Sequence, residues 1–386
     1  MTSEERILLA LSHKEPDRVP FDLGSTIVTG INVEAYKNLL SHLGIRNFNI
    51  NVLYERSGIV EIDEEVLRKL KVDTRGLFPN SYRPTYWAKR RFEDKNYKYI
   101  VDEWGIKWKQ SKENGYHYDI AESPFKEIQK IEELKDYSWP IHSESIRLKG
   151  INFRAKKLRE ETNCALVLES ELAETFTTPF MLRGYENFYI DLIDKPKLTC
   201  YLMDKMLDIQ LGYWETVFEN IEEYPLIVRT GDDLGSQTTT LISPDMYKKY
   251  VKPRHGKLFS SIKKFAKGDV YIFFHSDGAV YDLIPDFIDI GVDILNPVQY
   301  TASKMETKRL KKEFGKDLVF WGGGVDTQNI LPSRDVETIK EEVKRRINDL
   351  APDGGFVFTP VHNIQYDVPA QNIIAMWEAL QQYGEY

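Results

Sequence analysis

The sequence has little cysteine: two residues in 386, Cys164 and Cys200. Two cannot build a disulfide framework or a cysteine-rich zinc site. Each reads as a small buried hydrophobe in a reducing compartment. Positive charge is not in excess either. Fifty-two basic side chains against 60 acidic ones give a net charge of −8, which argues against a general nucleic-acid binder. About 18 apolar residues never run together without a charge, so no membrane span is expected. The opening stretch MTSEERILLALSHKEPDRVP lacks the form of a signal peptide, because its apolar run is short and Glu4 and Glu5 precede it. Thr2 and Glu5 instead have the spacing of a capping box on an amphipathic helix. These absences lead to the expectation of a cytoplasmic protein. With no internal repeat, low-complexity stretch or clear linker, residues 1–386 are expected to form a single domain.

What is present is a regular alternation. Short apolar runs occur at 19–24, 75–79, 164–172, 225–235, 269–278, 292–299, 317–326 and 355–362. Most are rich in Val, Ile, Leu and Phe without period-two alternation, as in parallel strands buried on both faces. Amphipathic stretches separate the later runs. One follows run five, with Ser276 or Asp277 as candidate caps and Gly291 as its stop. Another stops at Gly315. A third carries Val336, Ile339, Val343, Ile347 and Leu350 on one face. Eight strands alternating with helices predict an α/β fold, a (β/α)8 TIM barrel. A doubly wound sheet is the alternative, but no glycine-rich fingerprint follows an early strand. Residues 80–150 break the pattern with WAKRRFED, YKYIVDEWGIKWKQ and GYHYDI. They predict an aromatic-rich antiparallel insertion between strands two and three. Trp87, Trp104, Trp108 and Trp139 there read either as its small core or as a lid facing a ligand.

Chemistry in such a barrel lies at the C-terminal ends of the strands. Here those ends are polar in succession: Asp22, Glu169 with Glu171, Asp232 with Asp233, His275-Ser276-Asp277, Asn296 with Gln299, Asp326 and His362. Any one alone reads as a cap or a satisfied buried group; together they predict a mouth rich in carboxylate, amide and imidazole. His275, His362, Asp232 and Asp233 are the catalytic candidates. Asp22, Glu169, Asn296, Gln299 and Trp321 are candidates for holding substrate. Residues two apart on a strand point the same way, so His275 and Asp277 can share a ligand. With His362 and Asp326 they form a candidate set for zinc or another divalent ion. The glycines 322–324 before Asp326 would let a ligand approach the backbone.

Several of these stretches carry a family resemblance: ERILLALSHKEPDRVPFDLG, DEWGIKW, GDDLGSQTTTLISPDMYKKYVKP, HSDGAVYDLIPDFIDIGVDILNPVQ, WGGGVDTQ and GGFVFTPVHNIQYDVPAQNI. Together they resemble the uroporphyrinogen decarboxylase-like superfamily over almost the whole chain. The resemblance implies a (β/α)8 barrel. It also implies porphyrinogen decarboxylation, or methyl transfer to or from a corrinoid. True decarboxylases carry an arginine-rich loop of the form RQAGRY after the first strand. Here that place reads DLGSTIVTG, without arginine, and gripping several carboxylates wants Arg and Lys. Thiol methyltransferases of the superfamily bind zinc through His-x-Cys after strand five and a later Cys. Here His275-Ser276-Asp277 stands in the first place and His362 near the second. Oxygen and nitrogen ligands are harder than thiolates, which favours an O-methylated donor, as in O-demethylase systems. Related O-demethylases have a Glu…Glu…His zinc motif, and Asp326, Glu341 and His362 have a comparable spacing. Glu341, however, is rotated roughly 140–160° from its helix's apolar stripe at about 100° per residue, so it is set aside.

The resulting expectation is a methyltransferase with a bound divalent metal. No corrinoid-binding module is visible in the chain, so the corrinoid would come on a partner protein docked at the barrel mouth. Asp232, Asp233 or Glu169 would supply acid catalysis in place of the metal. The alternatives are a uroporphyrinogen-type decarboxylase, a metal-dependent barrel hydrolase, or a barrel that only binds a small molecule or a partner.

Overall fold

The computed structural model describes the chain except residues 47, 81–87, 114, 141–144, 171–172 and 223–225. Two short strands, β1 (Val52–Tyr54) and β2 (Ile59–Val60), pair antiparallel. The central sheet contains β3 (Thr74–Leu77), β8 (Ala165–Leu168), β9 (Leu226–Gly231), β10 (Val270–His275), β11 (Ile294–Asn296), β12 (Val319–Trp321) and β13 (Phe356–Val357). All seven are parallel and ordered as in the chain, from β3 at one edge to β13 at the other. Such a sheet curls, as in a TIM-like barrel.

The run at 19–24 is not a regular strand. It contributes one parallel bridge, Phe21 to Phe358. It nevertheless bonds to both edges: Asp22 N–H donates to Phe358 O at 2.9 Å, and Asp73 N–H donates to Phe21 O at 2.8 Å. The Phe21 amide turns to the Asp73 carboxylate instead of a neighbouring strand. That side-chain substitution is why a ladder does not continue there.

Between β3 and β8 in the chain lie β4 (Ala88–Glu93), β5 (Tyr97–Asp102), β6 (Lys107–Ser111) and β7 (Asp119–Glu122), which form a four-stranded antiparallel sheet. Its Ile100, Trp104, Ile106 and Trp108 are buried with Leu198, Leu202 and Met206 of the helix Pro196–Asn220. Trp139 packs at the margin of that cluster; Trp87 lies outside the described residues.

Two core layers follow from strand alternation. Val228, Ile272, Phe274 and Phe320 face the surrounding helices. Ile227, Phe273, Val319, Trp321 and Val357 fill the barrel interior. The first helix, Ser3–Leu11, has the Thr2–Glu5 capping box and packs Ile7, Ala10 and Leu11 against that inner cluster. It closes the end opposite the polar mouth. The helix Val336–Leu350 buries Ile339, Val343, Ile347 and Leu350 and leaves Glu341 exposed. No helix among the described residues is long and apolar enough to cross a membrane.

Candidate functional site

Alternation also sorts the polar strand ends. In β10 the inward series is Phe273, His275 and then Asp277 just past the strand. His362 follows β13 and meets them: its Nε2 lies 3.7 Å from Asp277 Oδ2, which lies 3.7 Å from His275 Nε2. The two imidazole centroids are 5.6 Å apart. Ligand atoms of these three residues all lie within 4.8 Å of one another, the one such group among the described residues. Asp277 is not a helix cap: the next turn begins at Tyr281 without a side-chain cap. Ser276 does not cap that turn either; its hydroxyl accepts from Leu234 N–H at 3.1 Å.

Behind the group stands a fixed support. His275 Nδ1 lies 2.6 Å from Asn296 Oδ1, and Asn296 Nδ2 donates to Trp321 O at 2.7 Å. The second bond fixes the amide orientation, so Asn296 Oδ1 accepts the Nδ1 proton and His275 Nε2 is left with a lone pair facing Asp277 and His362. The Trp321 indole in turn donates to Asp22 Oδ2 at 2.9 Å, and Asp22 Oδ1 accepts from Thr74 Oγ1 at 2.6 Å. Asp22 is fully buried, a bonded part of the barrel floor. Gln299 accepts from Gly278 N–H at 2.8 Å and holds the loop after Asp277.

The other sequence candidates separate. Asp233 faces the group: its Oδ1 is 3.9 Å from His275 Nε2. Asp232 points the opposite way. Its carboxylate takes the Phe176 and Thr177 amides and sits 2.7 Å from His255 Nε2, on the helix side of the sheet. Glu169 is fully buried, receives Ile27 N–H at 2.9 Å, and lies 3.5 Å from Arg229. Asp326 stays apart from the three-residue group, with its oxygens capping Gln328 and Asn329 at 3.0 Å. Glu171 lies outside the described residues. The glycine run serves packing rather than a ligand: a Cβ at Gly323 would stand 2.8 Å from Val298 Cβ. Neither cysteine belongs to the group.

Two residues here escape the strand-end reading. Arg229 lies inside β9, on the same inward face as Ile227, and pairs at 3.5 Å with both Glu169 and Glu174. Glu174 lies beyond β8. Arg229 was visible as a charge within an apolar run; Glu174 had no such signal. Both line an inner cavity of about 180 Å³, with Ile27, Val28, Trp108 and His275. An outer cavity of about 370 Å³ contains Gln237, Thr301 and Asp326. Asp277 and His362 line both.

The electrostatics are uneven. Burial would lower the His275 pKa, but Asp277 and Asp233 outweigh it and raise it. Burial lowers that of His362, against the pull of Asp277 and with help from the neighbouring imidazole. Burial would raise Asp277, yet His362, His275 and Arg229 hold it well below the usual carboxylate range. Burial and the Asp277 charge raise Asp233. Burial, reinforced by Asp232 and Asp233 against the pull of Arg229, pushes Glu174 up to about 7.

The three-residue group fits a divalent ion. The 3.7 Å imidazole–carboxylate separations are too long for hydrogen bonds. They approach the roughly 3.4 Å ligand–ligand edge of a tetrahedron with ~2.1 Å metal bonds. Three protein ligands leave a fourth position open, and a ligating histidine held at its other nitrogen is the usual support.

The chain matches the family model described as uroporphyrinogen decarboxylase (URO-D) over residues 105–383. Among solved structures it is similar to a methyltransferase from Methanosarcina mazei, with 18% identity, a TM-score of 0.65 and 99% of each chain covered. At that identity the likeness is one of fold. A xylanase B from Clostridium stercorarium F9 has 11% identity and a TM-score of 0.34, covering 54% of this chain and 70% of that one. No curated protein matches the chain in sequence.

Proposed function

We infer, for a chain that belongs to the uroporphyrinogen decarboxylase family, an enzyme that moves a methyl group between a small O-methylated compound and the corrinoid of a partner protein. The observation that carries this reading is the convergence of His275, Asp277 and His362 on the wall between the two cavities. Whole-length likeness to the fold of a methyltransferase supports it. Tetrapyrrole decarboxylation is supported less. Gripping several carboxylates wants unpaired Arg or Lys, and Arg229 in the inner cavity is already held by Glu169 and Glu174.

His275, Asp277 and His362 would hold a divalent metal, zinc among the candidates. When bound it supplies Lewis acidity toward the heteroatom that carries the methyl group. Asn296 keeps the His275 proton on Nδ1, so Nε2 is available as a ligand. Ile27, Val28, Trp104 and Trp108 line the inner cavity and exclude water from the donor. Glu174, with a pKa near 7, can give its proton to the departing heteroatom. The partner's corrinoid would approach through the outer cavity, facing the same Asp277 and His362. The chain's contribution is then position and leaving-group stabilisation.

The test combines the purified protein with a reduced corrinoid and a panel of methyl donors, following the corrinoid absorption spectrum. One donor is expected to alter the spectrum with the wild-type chain. His275→Ala and His362→Ala are each expected to abolish the change while remaining folded. Near-normal turnover by both variants would sink the assignment. Elemental analysis finding no stoichiometric divalent ion would remove the metal and leave acid catalysis by Glu174.

A further inference from the structure

The inner cavity holds a second guanidinium, at Arg56, whose situation differs from that of Arg229. Its Cζ lies 4.2 Å from the centre of the Trp108 ring and 5.0 Å from that of Tyr54. Its Nη1 lies 3.8 Å from the Met181 sulfur, a weak acceptor. The adjacent carboxylate of Glu55 is taken by Arg91 at 2.6 Å. Asp102, in the same cavity wall, spends its oxygens on Trp108 Nε1 at 2.7 Å and on the Trp104 and Ile106 amides at 2.9 Å. Arg56 forms no ion pair among the described residues, though it is half-buried.

This cation is held in place. The Asp102–Trp108 bond fixes the indole on which it lies. Tyr118 N–H donates to Arg56 O at 2.9 Å, so residues next to the antiparallel sheet also fix its backbone. Beyond the Met181 sulfur and the Tyr54 hydroxyl beside it, the stacked guanidinium has in-plane N–H donors in the fork geometry that matches a carboxylate. The rest of the cavity divides by chemistry. Ile27, Val28 and Trp104 bring apolar surface to the lining, and Asp233, Asp277 and Glu174 bring carboxyl groups. Arg229 is already paired with Glu169 and Glu174, so a carboxylate on the donor would be taken by Arg56.

We propose that Arg56 is the specificity-determining anchor of this site, binding a carboxylate on the methyl donor. The donor's body then rests against the apolar surface, and its methyl-bearing atom meets His275, Asp277 and His362. This rests on the methyl-transfer reading for what happens at the far end, but not for the binding itself.

The test is therefore equilibrium binding by calorimetry, with no corrinoid present. The probes are 4-methoxybenzoate and methoxyacetate, each against its uncharged primary amide. At least one acid is expected to bind about tenfold or more tightly than its amide, the preference a charge-assisted hydrogen bond gives. Arg56→Met is expected to erase that preference with little effect on the amide. Arg56→Lys, which keeps the charge but not the fork, is expected to recover part of it. Thermal melts of both variants report folding, and the lysine variant serves if the methionine variant unfolds. Equal binding of acid and amide in both pairs, absence of any binding, or an acid preference that survives Arg56→Met overturns the proposal. Acid-selective binding without methyl transfer would overturn the function above and leave the anchor standing.

Discussion

Glu174 is the side chain whose protonation state bears most directly on the chemistry proposed. Burial, with Asp232 and Asp233 nearby, raises its carboxyl to about 7 although Arg229 opposes the shift. A raised acid is neutral below its pKa and loses its proton above it. If Glu174 donates a proton to the leaving heteroatom, kcat is expected to be flat below pH 7 and to fall about tenfold per unit above it. Glu174→Gln keeps a neutral group of the same shape but has no proton to give. It is expected to be slow and to lose the step near pH 7. A pH profile of the variant that keeps the wild-type step would assign it to another group. Single residues were legible unevenly. His275 and Asp277 are placed together by strand period two, and the structure keeps them inward. The same rule, applied to Asp232, would have turned it outward, because it alternates with Val228 and Thr230. Its length as a polar run masked that. Partnership across the barrel, such as Asn296 with His275, leaves no local trace in a sequence.

Elements were legible where their own residues define them. The Thr2–Glu5 box caps a helix, and the stripe through Ile339, Val343, Ile347 and Leu350 faces the core. Segment 19–24 was not legible in this way, because it owes its place to a distant carboxylate. Asp73 is fully buried and accepts from Phe21 N–H at 2.9 Å, Arg6 Nη1 at 2.7 Å, Arg18 Nη1 at 2.8 Å and Ser3 Oγ at 2.7 Å. One carboxylate thus ties the first helix and the segment at 19–24 to the start of β3. Asp73→Ala would leave the largely buried Arg6 guanidinium without that partner. Arg6 keeps Asp17 at 2.6 and 2.8 Å, so the expected cost is about 1–3 kcal/mol of stability, the penalty for leaving the buried Phe21 N–H without its acceptor. A urea titration with unchanged slope and a lowered midpoint would measure it. A loss below about 1 kcal/mol would mean that the edge is held mainly by its backbone bonds.

At the scale of the whole molecule, the two cavities divide the proposed reaction between two partners. The inner one sets apolar and aromatic side chains such as Ile27, Val28 and Trp108 beside charged ones such as Arg56 and Glu174, and suits a small donor. The outer one is about 370 Å³, polar, and reaches Asp277 and His362 from the other side. If the corrinoid arrives there on its protein, filling the outer cavity should separate the two binding events. Thr301 is exposed, lines that cavity, and contributes only its backbone carbonyl, which accepts from Gln237 Nε2 at 2.6 Å. Thr301→Trp therefore adds bulk without removing a side-chain bond. The half-saturating concentration of the corrinoid protein is expected to rise at least about tenfold, equivalent to ~1.4 kcal/mol of lost docking energy. Donor affinity in the inner cavity, measured without corrinoid, is expected to stay at the wild-type value. Loss of donor binding in this variant would mean that the two cavities act as one site. Unchanged corrinoid dependence would place the docking face elsewhere on the barrel.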